Sequence, residues 1–220
     1  MKTSKIILIA FLSVFCLSLL SFMITVDRKN NTKQFQFENI EESLADVSVI
    51  KASKGVNVTL VSTDSNLIKH SHLKDSSYIT PYEIIGDTLV LKPHKQNQEN
   101  WHYDVNLSSN ITSIINNGGD ISINLNQDSL HVITNNEGRF QVYDKSIINY
   151  LKLYVTENSR SHFSNSKIKQ LELVANNSKV DINNKIESVN LTAKNHANIT
   201  LKLSNKLNVN CDSLSRYRIY

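Results

Sequence analysis

Short runs in which apolar and polar residues alternate recur down the C-terminal half of the chain. The pairs Leu130-His131-Val132, Leu151-Lys152-Leu153, Leu171-Glu172-Leu173, Val189-Asn190-Leu191 and Leu207-Asn208-Val209 follow one another at spacings of 21, 20, 18 and 18 residues. Alternation places the apolar members of each run on one face of an extended strand. Asparagines keep the same beat: Asn117, Asn136, Asn158, Asn177 and Asn195 are 19, 22, 19 and 18 residues apart. Each precedes a second short run: Ile121-Ser122-Ile123, Phe140-Gln141-Val142, His162-Phe163, Val180-Asp181-Ile182 and Ile199-Thr200-Leu201. A strand, an asparagine-bearing corner and a second strand, renewed about every nineteen residues, is the mark of a solenoid.

The period selects the kind of solenoid. Helical repeats need roughly 33 to 47 residues, and leucine-rich repeats need their own spaced-leucine consensus; neither fits. A coil of two or three short strands closes in this length, each strand pairing in parallel with its equivalent about 4.8 Å away on the next coil. Each inward Leu, Ile or Val is worth roughly 1.5–3 kcal/mol when buried, but one coil alone has nothing to bury it against. The expectation is an all-β, right-handed, single-stranded parallel β-helix of coils about 18–22 residues long, the repeating coils covering about residues 111–210 of a domain spanning 47–220. The asparagines form its structural corner ladder, through stacked amides or through turn chemistry.

Upstream the pattern stays strand-like but loses the period. Strands are predicted at Val47–Ile50, Gly55–Val61, Asn66–His70, Tyr82–Ile85, Thr88–Lys92 and Tyr103–Leu107, with turns at Asp64-Ser65-Asn66 and Gly86-Asp87. Residues 92–103, which hold the only Trp, read as an exposed loop. The order KGVNVTLVSTDSNLIKH (54–70), YEIIGDTLVLKP (82–93) and YDVNLSSNITSIINNGGDISINL (103–125), followed by short β coils, resembles the head GIN domain, a bacterial family described as a "putative auto-transporter adhesin" domain. The resemblance covers about residues 47–210. It implies an extracytoplasmic β-helix more directly than it implies adhesion. The family's corners usually carry Gly; here Asn takes most of them, and Gly118, Gly119 and Gly138 remain.

Residues 6–26 (IILIAFLSVFCLSLLSFMITV) contain no charge and follow Lys2 and Lys5. As a helix they would be about 31 Å long, matching a hydrocarbon core of about 30 Å. They read as an uncleaved signal-anchor within a segment 1–26, with the lipid bilayer as partner; the alternative is cleavage near Ser21. Cys16 follows Phe15 rather than the small residue a lipobox needs. Flanking positive charges nearly balance, so the expected orientation, N-terminus inside and residues 27–220 outside, rests on the usual behaviour of signal-anchors and on the fold. Residues 27–46 read as a polar tether with an acidic cluster at Glu38, Glu41, Glu42 and Asp46.

The 24 basic and 20 acidic residues give a net charge of +4 with no basic block, which does not support nucleic-acid binding. His70 and His72 share one face of a strand near Asp75, but no Cys or regularly spaced carboxylate accompanies them. Asp120, Asp144 and Asp181 fall at different places within their coils, whereas a β-helix glycan hydrolase or lyase stacks its carboxylates. No G-x-S-x-G context occurs. Cys211 has no intradomain disulfide partner, and Arg216–Tyr220 reads as a last edge strand. No catalytic, cofactor-binding or metal-binding residue is assigned. The expected role is a non-enzymatic, membrane-anchored envelope module for adhesin-like binding or assembly, with a glycan or envelope protein as ligand; the alternative is a small carbohydrate-active enzyme.

Overall fold

The alternating runs become strands whose apolar residues point into one shared interior. The structure, a computed structural model, describes residues 14, 15, 17, 18, 21, 37–73, 80–93, 101–143, 145–202 and 204–220. The chain divides into two compact units, Met1–Phe37 with Leu73–Asp75, and Glu38–His72 with Ser76–Tyr220. In the first, Val14, Phe15, Leu17, Ser18 and Ser21 are helical, and the Ser18 hydroxyl donates to the Phe15 carbonyl at 2.7 Å. Among the described residues no helix is long and apolar enough to cross a membrane. The rest of the apolar segment 6–26, Cys16 included, and residues 27–36 lie outside the described residues.

The strands run β1 (Phe37–Ser43), β2 (Val49–Ser53), β3 (Val56–Ser62), β4 (Leu67–Leu73), β5 (Tyr82–Ile85), β6 (Thr88–Leu91) and β7 (Trp101–Leu107). The regular coils follow in pairs: β8 (Ser113–Asn117) with β9 (Asp120–Asn124), β10 (Asn126–Asn135) with β11 (Arg139–Val142), and β12 (Ile147–Val155) with β13 (Arg160–Phe163). Then come β14 (Lys167–Asn176) with β15 (Lys179–Ile182), β16 (Ser188–Lys194) with β17 (Asn198–Leu201), and β18 (Lys206–Cys211) with β19 (Arg216–Ile219). One sheet has the order β18-β16-β14-β12-β10-β8-β2-β6-β5, the other β1-β4-β7-β3-β9-β11-β13-β15-β17-β19. From β8 to β18 the chain makes five turns of a parallel β-solenoid, two strands to the turn.

The register follows the repeat. Leu130, Leu151, Leu171, Val189 and Leu207 are paired neighbours on successive strands, as are Val132, Leu153, Leu173, Leu191 and Val209. In the opposing sheet Ile121, Phe140, Ser161, Val180 and Ile199 stack, beside Ile123, Val142, Phe163, Ile182 and Leu201. The third inward pair is therefore Ser161 and Phe163, with His162 facing outward. Ser161 is small where Phe140 and Phe163 are large, so bulk is exchanged between adjacent columns.

The opening coils do not stack in sequence order. In both sheets the β2–β3 coil sits between β6–β7 and β8–β9. The first end is then closed by antiparallel strands, β4 on β7 and β5 on β6, with β1 beside β4. The β5–β6 turn has Gly86 at φ +62 in the first of its two central positions, where a left-handed angle suits Gly. Phe37–Ser43, within the stretch read as a tether, is a strand, and three of the four acidic side chains of that stretch's cluster, Glu41, Glu42 and Asp46, have partners. Glu41 pairs with Lys69 at 2.7 Å, Glu42 accepts from the Tyr82 hydroxyl, and Asp46 accepts from Asn66 Nδ2 at 2.6 Å. Trp101 departs from expectation: it is a buried core residue that begins β7, not a member of an exposed loop, and Tyr103 beside it in the same strand is buried as well. The Tyr103 hydroxyl is directed at the carbonyls of Lys92 and Pro81, at 2.8 and 3.1 Å.

Small buried residues line the inner corner between the sheets: Gly119, Gly138, Ser159, Ser178 and Ala197. A Cβ at Gly119 would stand 2.8 Å from the Val56 carbonyl oxygen, and one at Gly138 would stand 2.9 Å from that of Asn135. What fills this corner in the first regular coils is Asn116, which is fully buried. Its amide nitrogen donates to the carbonyls of Gly119 and Arg139 at 2.9 and 2.8 Å, and its amide oxygen accepts from the Gly119 N–H at 2.9 Å. One side chain thus joins two coils. Replacing it by Ala would strand the buried Gly119 N–H and take a donor from the Arg139 carbonyl, while the Gly119 carbonyl keeps the Arg139 N–H at 2.8 Å, so Asn116→Ala is expected to lower the unfolding free energy by about 1–3 kcal/mol. Urea unfolding of the variant checks this; an unchanged midpoint and slope would remove Asn116 from the account.

Candidate binding site

Among the five corner asparagines the structure distinguishes three positions. Asn136, Asn177 and Asn195 hold the first left-handed residue of their corners, with φ of +52, +46 and +52, where Gly118 stands in the β8–β9 corner at φ +83. Asn158 holds the second left-handed position of its corner, after Glu157. Asn117 is the last residue of β8, in register with Asn135. Side-chain amides bridge coils from Asn136 to Asn117 and from Asn195 to Asn176 at 2.8 Å, while Asn158 N–H donates to the Asn177 carbonyl at 2.7 Å. All five are exposed. Asn tolerates left-handed backbone better than most residues, which accounts for its recurrence at these turns.

The other sequence candidates separate. His70 is buried, its ring 6.3 Å from that of Tyr82 and 6.2 Å from that of Tyr103; the His72 side chain and Asp75 lie outside the described residues. Asp120 and Asp181 occupy different columns of the ten-stranded sheet, on β9 and β15, and Asp144 lies outside the described residues. Among the described residues no three His, Cys, Asp or Glu side chains are grouped so as to hold a metal ion. Cys211 is a half-buried free thiol.

The most built-up surface is a shelf on the outward face of the nine-stranded sheet. Register stacks His131, Lys152 and Glu172 in one column on β10, β12 and β14, flanked by Ser129 and Tyr150 on one side and Ile133 and Tyr154 on the other. A shallow depression lined by these side chains of β10 and β12, with Thr112 and Thr156, runs across the strands. The Tyr150 hydroxyl donates to Glu172 Oε2 at 2.6 Å, and Lys152 Nζ lies 2.8 Å from Glu172 Oε1. Tyr154 takes His131 edge-on, with ring centroids 5.5 Å apart, and has the Lys152 ammonium 5.5 Å from its own centroid. Aromatic faces backed by a fixed ion pair make a platform that is apolar in body and polar at its rim. Sequence reasoning missed this shelf, although its central column is the middle residue of each repeating pair.

Charges on the shelf are held fixed. Hydrogen bonds from Lys152 and Tyr150 keep the Glu172 carboxyl below its usual range. The same carboxylate raises Lys152 above the ordinary lysine value, and its hydrogen bond raises Tyr150 as well. By linkage, what Glu172 contributes to stability is present above the unfolded carboxylate pKa and is lost as pH falls through its lowered folded value. What Lys152 contributes is present below the unfolded lysine pKa and is lost as pH rises through its raised folded value. Around neutral pH neither group changes charge.

No protein-family model matches the chain, and no curated protein matches it in sequence. Solved structures do share its fold. A protein of Parabacteroides merdae ATCC 43184 superposes with a TM-score of 0.60 at 10% identity, covering 84% of this chain and 93% of its own. Proteins of Bacteroides fragilis NCTC 9343 and Parabacteroides distasonis ATCC 8503 each give 0.56, at 10% and 11% identity, covering 84% of this chain and 97% and 94% of theirs. Each of the three is described as a "putative adhesin". At such identities the likeness is one of fold, the parallel β-solenoid.

The Tyr150–Glu172 hydrogen bond has a direct readout. In tyrosine labelled with carbon-13 at Cζ, the Tyr150 signal, assigned through Tyr150→Phe, is expected to titrate above the usual phenol range and to move down in Glu172→Gln. An unmoved titration would mean that the bond does not form in solution.

Proposed function

We propose that this chain is a non-enzymatic binding module of a bacterial cell envelope, tethered by residues 6–26 in the lipid bilayer with residues 27–220 outside the cytoplasm, and that it works in adhesin-like binding or envelope assembly. The observation that carries the reading is the shelf formed by exposed Tyr150 and half-buried Tyr154, His131 and Ile133 on the outward face of the sheet. Flat aromatic platforms suit the apolar faces of sugar rings, and the ion pair beneath offers hydrogen-bond partners to ring hydroxyls. A glycan is therefore the ligand class favoured over an envelope protein. The fold shared with solved structures each described as a "putative adhesin" supports the same reading, as does the strand order resembling the head GIN domain. Right-handed coiling accords with the general hand of crossovers between parallel strands of one sheet.

The runner-up is a small carbohydrate-active enzyme. Against it stand the fixed charge states of Glu172 and Lys152, since general acid–base chemistry wants a group able to exchange its proton near working pH. The separation of Asp120 from Asp181 also denies the ten-stranded face a paired acid and base at these positions.

The test uses the full-length chain in detergent micelles on a glycan array, with ligand masses followed by mass spectrometry. Binding without shortening of the glycan is expected, and Tyr154→Ala is expected to weaken it about tenfold, the loss of one aromatic stacking contact. Cleavage of the glycan would establish the enzyme instead. Unchanged affinity in Tyr154→Ala would dismiss the shelf.

A further inference from the structure

The outward face of the ten-stranded sheet carries a second pattern. Its register places Asp120, Arg139, Arg160, Lys179, Asn198 and Arg216 in a single column, one residue to each coil. The adjacent outward column reads Ser122, Gln141, His162, Asp181, Thr200 and Arg218. From β9 to β19, Arg139, Arg160, Lys179, Arg216 and Arg218 thus face the same way as Asp120 and Asp181, five cations to two anions, with Asp104 continuing the second column on β7. Parallel strands stand about 4.8 Å apart, so Arg139, Arg160 and Lys179 follow one another at about that interval along the solenoid axis.

Folding has no use for this arrangement. Like charges directly opposite one another on neighbouring strands are destabilising. The nine-stranded sheet at the same level answers the problem by setting Glu172 beside Lys152. Between β9 and β19 these two columns hold, among the described residues, the ion pairs Arg139 with Asp120 at 3.7 Å and Lys179 with Asp181 at 3.2 Å. Arg160, Arg216 and Arg218, all exposed, have no ion-pair partner among the described residues. A row of cations that repel each other, evenly spaced on a flat rigid face, is complementary to a row of anions with the same direction.

We propose that this face binds a linear anionic polysaccharide lying along the solenoid axis, across the strands. Charge complementarity supplies the attraction and the coil repeat supplies the spacing. Gln141, His162, Asn198 and Thr200 lie between and beside the cations and offer donors and acceptors to sugar hydroxyls. A single-stranded nucleic acid is disfavoured because His162 is the only ring in these two columns, whereas such strands need successive aromatic platforms for their bases. The inference extends the binding-module reading to a different face and does not depend on the aromatic shelf.

The experiment measures binding of the full-length chain in detergent micelles to polygalacturonate, dextran sulfate and uncharged dextran, by interferometry at several salt concentrations. Binding to at least one charged polymer and none to dextran is expected, falling as salt rises. The triple substitution Arg139→Ser, Arg160→Ser, Lys179→Ser is expected to weaken binding at least about tenfold and to flatten the salt dependence. Asp181→Asn, which removes an opposing charge, is expected to strengthen it. Tyr154→Ala should leave it unchanged, which separates failure at this face from failure at the shelf. Circular dichroism and thermal unfolding of each variant establish that the fold persists. Equal binding of dextran, or wild-type affinity in the folded triple variant, would overturn the proposal. Tighter binding of single-stranded DNA than of either charged polysaccharide would replace it with a nucleic-acid interface.

Discussion

In-register parallel pairing between equivalent strands is the constraint on which everything else rests. Because each strand sits directly over its counterpart, every position along the coil becomes a column, and every column must be acceptable as a stack of near neighbours. Inward columns satisfy this with Leu, Ile and Val. Where an aromatic enters, as with Phe140 and Phe163, a serine at 161 yields the space. Corner columns satisfy it with small residues or, in the first regular coils, with the Asn116 amide bridging two turns.

Outward columns carry no packing demand, and so they are where function can be written. On one sheet the column His131, Lys152, Glu172 closes on itself through hydrogen bonds and presents tyrosine rings. On the other, cations outnumber anions, and Arg160, Arg216 and Arg218 have no ion-pair partner among the described residues. The same geometry produces both outcomes: a stack of unlike charges becomes an internal pair, and a stack of like charges becomes a surface that seeks a partner.

What could be read from the sequence follows from which interactions are periodic. The Leu130 to Leu207 column was legible because burial forces an apolar residue at each return of the coil. The corner positions of Asn136, Asn177 and Asn195 were visible for a similar reason, since left-handed backbone restricts the choice of residue. Ser161 hid its column, because an inward serine breaks the alternation and His162 beside Phe163 mimics it. Asn116 was masked by its neighbour Asn117, the two differing only in the face on which they fall. The stacking of β2–β3 between β6–β7 and β8–β9 leaves no trace in alternation, which reports the face of a residue but not its neighbouring strand. Trp101 looked like a loop residue amid Lys, His, Gln and Asn, yet its ring goes to the core. The shelf and the cationic column were both present at fixed offsets in the repeat; nothing but their alignment across coils distinguishes them from ordinary solvated positions.

The inserted first coil bears on how such a chain can assemble. Val49–Ser53 is hydrogen-bonded on one side to Thr88–Leu91 and on the other to Ser113–Asn117, so its pairing must await chain ends closed over tens of residues, at an entropic cost that later coils avoid. Each subsequent coil needs only about nineteen residues to reach its template. The solenoid therefore resembles a crystal more than a collapsing globule: a slow, non-local nucleus made by the first hundred-odd residues, followed by rapid one-dimensional growth in which every finished turn is the seed for the next.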